Sequence, residues 1–202
     1  MRQFRNILNM RVEVVNLQFP FMLLILTSFF AYFSVISFYI YSPVMGSTGD
    51  DDDIYCGETG GDCNGSDRVD EISGSENFAN NINGGRGDDS IYGGKASDTI
   101  IGNDGHDAID GDAGDDVLFG WKGDDSILGE EGSDEITGNE GLDTIHGGTE
   151  NDHLYQNDHS NLPDGSPDKI YCDEGEDDFA YISESDGDIA GDGCEHINSF
   201  SQ

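Results

Sequence analysis

Eight aspartates recur at intervals of nine between residues 84 and 155: Asp89, Asp98, Asp107, Asp116, Asp125, Asp134, Asp143 and Asp152. A carboxylate can serve as an acid or base, as a nucleophile, or as a hard ligand for a cation. Acid–base work needs one or two carboxylates whose surroundings push their pKa values apart. An even column of eight suits a file of cation ligands better.

The column belongs to a longer phrase. Residues 84–155 read as eight unbroken nonapeptides: GGRGDDSIY, GGKASDTII, GNDGHDAID, GDAGDDVLF, GWKGDDSIL, GEEGSDEIT, GNEGLDTIH and GGTENDHLY. Position 1 is Gly in every copy, from Gly84 to Gly147, and position 4 is Gly except at Ala96 and Glu150. Position 8 is always aliphatic: Ile91, Ile100, Ile109, Leu118, Ile127, Ile136, Ile145 and Leu154. A short fixed period points to a repeat architecture. The glycines at positions 1 and 4 are expected to supply backbone dihedrals that other residues avoid. One aliphatic among small or β-favouring neighbours suits a short strand with its middle residue inward. Each copy therefore reads as a six-residue turn and a three-residue strand, which can bury its aliphatic only by stacking on other copies.

Two copies per coil would set strands of every second copy side by side, about 4.8 Å apart. The carboxylates then form two files. One holds Asp89, Asp107, Asp125 and Asp143; the other holds Asp98, Asp116, Asp134 and ends at Asp152. Like charges so spaced oppose folding unless something positive lies between them. Arg86, Lys95 and Lys122 are the only cationic side chains of the block. Carboxylates with turn carbonyls make a hard oxygen site that suits several Ca²⁺ ions, and suits Mg²⁺ less because its geometry is stricter.

The block resembles the RTX (repeat-in-toxin), or hemolysin-type, calcium-binding nonapeptide, Gly-Gly-x-Gly-x-Asp-x-aliphatic-x. The resemblance implies an all-β chain folded as a parallel β-roll, a form of β-helix. It implies calcium held between turns two repeats apart, with Asp89 paired to Asp107, Asp98 to Asp116, and so on to Asp134 with Asp152. Turn carbonyls would complete each site. Ala96 and Glu150 depart from the pattern in their own turns.

The formal charge is −35. Residues 1–46 carry Arg2, Arg5, Arg11 and Glu13, so 42 acids face 5 bases downstream, a balance of −37. Nucleic acid is thereby excluded as a partner, since its phosphates would be repelled. Residues 1–18 form a basic lead expected on the cytoplasmic side. Residues 19–41 carry no charge and form either a transmembrane anchor or a signal segment; a spanning helix needs roughly 20 apolar residues. The arginines before it orient the acidic part outward. The chain is thus expected outside the cell, held to the membrane if the segment is uncleaved and secreted if it is cut near Ser47.

Residues 42–53 are an acidic linker, and 54–83 a degenerate N-terminal cap in which Asp70 and Ile72 keep the register. Residues 84–155 are the roll. Residues 156–202 hold a loop, worn repeats and a C-terminal cap, with Asp168 and Ile170, then Asp177 and Phe179, in repeat register. Four cysteines flank the roll, two on each side. An even count in an exported domain suggests disulfides. Of the three pairings the sequence allows, Cys56–Cys63 with Cys172–Cys194 is favoured because it staples each end locally, and the rival, a zinc site, lacks the short Cys-x-x-Cys spacing. Asn64-Gly65-Ser66 is a glycosylation acceptor sequence.

No His-Glu-x-x-His or Gly-x-Ser-x-Gly motif is present and the five histidines are scattered, so the expectation is not an enzyme. Two roles fit. One is a cell-surface calcium-binding module with a structural or adhesive role. The other is a secreted targeting module that works with a separate catalytic partner. Position 9 should stack Ile101, Phe119, Thr137 and Tyr155 on one outer face, a surface expected to meet a cell-surface protein or a second copy.

Overall fold

A three-residue strand has too little surface to hide an isoleucine alone, and stacking in register is the arrangement that does so. The computed structural model describes residues 53–157, 165–191 and 193–200. Sixteen short strands there wind into eight coils, two strands to a coil. The first two coils are β1 (Asp53–Tyr55) and β2 (Gly61–Asn64), then β3 (Glu71–Ser73) and β4 (Asn80–Arg86). The nonapeptide block supplies β5 (Ser90–Gly94), β6 (Thr99–Asp104), β7 (Ala108–Asp112) and β8 (Val117–Lys122). It continues with β9 (Ser126–Glu131), β10 (Glu135–Glu140), β11 (Thr144–Thr149) and β12 (His153–Tyr155). The last two coils are β13 (Lys169–Glu174) with β14 (Phe179–Ser183), and β15 (Ile189–Ala190) with β16 (His196–Phe200).

Odd strands form one parallel sheet and even strands the other. The register repeats at 18 residues through the block: Ile91 faces Ile109 and Ile100 faces Leu118. The inward column runs from Ile72 to Ile170, and none of its eleven side chains is more than 1 % exposed. Each such burial contributes about 1.5–3 kcal/mol against leaving the side chain in water. This is the all-β parallel roll that the repeat implied. Cys63 continues the column at one end, beside Ile82, and is bonded to Cys56. Cys172, fully buried, is bonded to Cys194. Both disulfides are the ones expected.

The glycine reading needs a correction. The position-1 glycines, Gly84 to Gly147, do not have positive φ; position 2 does, in all eight copies. Gly85, Gly94 and Gly148 fill it without strain, but Asn103, Asp112, Trp121, Glu130 and Asn139 also adopt it, at φ of 68–83°. Side chains with a Cβ adopt that region at a cost of roughly 1–2 kcal/mol. Trp121→Gly is therefore expected to raise the stability of the folded roll by ~1 kcal/mol, reduced by glycine's freedom in the unfolded chain. An unchanged or lower urea midpoint would mean the exposed indole makes a compensating contact.

A second correction concerns 172–180. This copy is one residue longer than the template, so Asp178 is buried in place of Asp177 and Ala180 points inward in place of Phe179. Phe179 faces outward and stacks between His153 and His196, with ring centroids 4.9 and 4.4 Å away. Tyr155 and Tyr181 stack at 4.5 Å, and His146 and Tyr171 at 4.6 Å. Ile101, Phe119, Thr137 and Tyr155 do share one file. Thr137 is fully buried.

The segment 19–41 lies outside the described residues. Among the described residues no helix is long and apolar enough to cross a membrane.

Candidate metal centre

Each position-6 aspartate sits just before a strand, where the turn hands the chain back to the sheet. All eight are at most 3 % exposed. Their backbones and one carboxylate oxygen form a continuous ladder. Asp89 N donates to Asp107 Oδ1 at 2.9 Å, Asp107 N to Asp125 Oδ1 at 2.8 Å, and Asp125 N to Asp143 Oδ1 at 2.9 Å. The other edge repeats this from Asp98 through Asp116 and Asp134 to Asp152, at 2.7–2.9 Å. The structure thus brings together the two files read from the sequence.

The files run further than the eight. Asp70 N donates to Asp89 Oδ1, Asp143 N to Asp168 Oδ1, and Asp168 N to Asp188 Oδ1. On the other edge Asn80 N donates to Asp98 Oδ1, Asp152 N to Asp178 Oδ1, and Asp178 N to Glu195 Oε2. Asp152 is therefore an interior rung, not the end of its file.

The second carboxylate oxygen is the unusual feature. Oδ2 of Asp89, Asp98, Asp107, Asp116, Asp125, Asp134 and Asp152 is buried without a hydrogen-bond partner. A buried polar atom left unpaired costs about 1–3 kcal/mol, more when charged. The position-1 glycines show where these atoms point. A Cβ on Gly120 would lie less than 3.0 Å from both Asp125 Oδ2 and Gly138 O. The same pairing of a carboxylate oxygen with a carbonyl oxygen holds over six successive position-1 glycines, Gly84 to Gly129. Position 1 must be glycine because two oxygens occupy the space a side chain would need. Two acceptors facing one small space with no donor between them call for a cation, and the donor set is the hard-oxygen type that suits Ca²⁺.

The electrostatics agree. Burial pushes Asp116 and Asp125 up to about 8, Asp152 to about 7, and Asp89 and Asp134 to about 6; backbone hydrogen bonds oppose the shift and neighbouring carboxylates add to it. Asp98, Asp107 and Asp178 are raised for the same leading reason. The described residues show no group of three or more His, Cys, Asp or Glu side chains suited to a metal ion. A cation here would rest on carbonyl oxygens as much as on carboxylates.

Sequence reasoning missed a second ladder at position 5, outside the first and opposite in sense. Asp88 Oδ1 accepts from His106 N, His106 Nδ1 from Asp124 N, and Asp124 Oδ1 from Leu142 N, at 2.8–3.0 Å. Ser97 Oγ and Asp115 Oδ1 do the same on the other edge, at 3.1 Å. Leu142 has no acceptor to offer, and the residue in register after it is Pro167, which has no N–H to donate. A column of Asp, Ser, His and Asn at position 5 was the available signal. The cations of the block also alternate with acids: Arg86, Asp104, Lys122 and Glu140 are successive partners along one edge. Lys122 Nζ meets Asp104 at 3.0 Å.

A search of curated proteins returned no match. A family model described as the RTX calcium-binding nonapeptide repeat matches four times, at residues 64–95, 74–109, 101–136 and 137–155. Residues 64–155 are thus identified as RTX calcium-binding nonapeptide repeats, and the β-roll they form is a structural module of the kind that binds Ca²⁺.

Proposed function

We propose that this is an exported calcium-responsive structural module, with Asp89, Asp98, Asp107, Asp116, Asp125, Asp134, Asp143 and Asp152 as its carboxylate ligands. The observation that carries the reading is the pairing of a buried, unpartnered Asp Oδ2 with the carbonyl oxygen of the next coil. Bound Ca²⁺ supplies the positive charge that this oxygen-lined space lacks. The folded roll sets these oxygens together, and the unfolded chain disperses them. Folding is therefore linked to calcium concentration through mass action. Where free calcium is low the chain stays open; where it is high the roll closes.

Export is supported by the two disulfides, which persist in oxidising compartments, and by the uncharged run at 19–41 that follows three arginines. The role is structural.

The test is a calcium titration followed by far-ultraviolet circular dichroism, with magnesium as control. A cooperative gain of β signal in calcium is expected in the range ~10⁻⁴–10⁻³ M, the scale of extracellular calcium modules. Magnesium should give little. A full β signal at neutral pH without either ion would reduce calcium to an accessory.

A further inference from the structure

We propose that Asn64 is an N-glycosylation site, and that the glycan sits on the open edge of β2 at the N-terminal end of the roll. Asn64-Gly65-Ser66 is the only Asn-x-Ser/Thr in the sequence. The sequence motif is short, and its placement makes the case. Among the described residues strand β2 ends its sheet and pairs on one side only, with β4. Alternation along β2 turns Cys63 inward and leaves Asp62 and Asn64 outward and exposed.

The Asn64 carboxamide makes no hydrogen bond among the described residues. Its outward neighbours differ. Asn81 Nδ2 donates to Asp62 at 2.8 Å and Asn103 Nδ2 donates to Asn83 at 2.8 Å. Those two amides are already held against a neighbouring side chain, and neither has a hydroxyl two residues on. Asn64 can take a sugar on Nδ2 with the native hydrogen bonds intact. The nearby Cys56–Cys63 bond places this end of the chain in an oxidising route.

The co-reactant is a lipid-linked oligosaccharide. Asn64 Nδ2 bonds to its anomeric carbon while the bond from that carbon to the lipid phosphate oxygen breaks. The phosphate leaves with the electron pair, and the amide proton passes to solvent. A bulky hydrophilic group there also blunts an open edge that otherwise invites strand addition. The inference requires export but not calcium binding, so it can fail while the calcium reading stands.

The experiment is expression of the full chain in eukaryotic cells, with digestion by an amidase that releases N-glycans and mass analysis of the peptide holding residue 64. The expected result is a single mass loss, with conversion of Asn64 to Asp. Asn64→Gln should abolish it, and Ser66→Thr, which keeps the acceptor hydroxyl, should preserve it. Peptide with Asn64 unmodified overturns the proposal, whether the chain is exported bare or never enters the route. Loss in Asn64→Gln combined with equal loss in Ser66→Thr would also overturn it, by showing a modification that does not read the motif.

Discussion

Asp125→Asn is expected to fold more readily than the parent when calcium is absent and to respond less when calcium is added. The two effects share one cause. Asp125 Oδ1 accepts from Asp107 N at 2.8 Å, and an asparagine oxygen can keep that bond. Oδ2 has no partner and, with Gly138 O, crowds the space over Gly120. An amide nitrogen there would put a donor on the Gly138 O side in place of a second acceptor. The protein already contains this solution. Asn80 holds the corresponding place in the second coil, where its Nδ2 donates to Asp98 Oδ1 at 2.8 Å and reaches Gly93 O at 3.4 Å.

The calcium-free gain should be of order 1–3 kcal/mol, the cost of one buried polar atom without a partner, read as a higher urea midpoint in calcium-free buffer. The calcium response should weaken because one carboxylate shared by two coils is gone. Asp125→Ala is the contrast. It strips Asp107 N of its acceptor and leaves a hole, so it should destabilise the roll with or without calcium. Asp152→Asn should behave like Asp125→Asn, because Asp178 extends its file. If Asp125→Asn were less stable than the parent without calcium, the unpaired oxygen would not be the source of the calcium requirement.

Much of this arrangement was legible in the sequence, for a definite reason. Asp at 6 and an aliphatic at 8 repeat without exception, and a roll of two copies per coil turns that period into two files and one core column. Local cysteine pairs at each end followed the same logic. What escaped lay where residue type does not report its cause. Glycine at position 1 and glycine at position 2 look alike as letters. The first answers to space, shown by Gly120 against Asp125 Oδ2; the second to backbone sign, shown by Trp121 at φ 83°. Position 5 varies among Asp, Ser and His because its ladder needs only an acceptor, so composition hides it. At 172–181 adjacent acids allow two registers, and Leu154 settles the matter by pairing with Ala180.

Lowering the pH should fold the calcium-free chain. In the folded state Asp116 and Asp125 stand at about 8, Asp152 at about 7, and Asp89 and Asp134 at about 6. Unfolded aspartate titrates near ~3.9. The folded values are raised, so the folded state binds protons more tightly than the unfolded one. Its proton-linked stability is fully present below about pH 4 and is lost as pH rises through the folded values, between about 6 and 8. Calcium-free protein should therefore show β signal at pH 5 and lose it by pH 8, while calcium restores the signal at pH 8 and adds little at pH 5. Measurement at pH 5 stays above the isoelectric point of 4.1, where precipitation would intrude. Relief of general repulsion in so acidic a chain also favours compaction on acidification, and Asp125→Asn separates the two. General relief is nearly indifferent to one charge among 43 acids. If the buried files govern, removing one carboxylate that titrates near 8 should carry the folded range of the calcium-free chain to higher pH. A calcium-free chain that stays coil from pH 8 to pH 5, or an Asp125→Asn profile that overlays the parent, would sink the account.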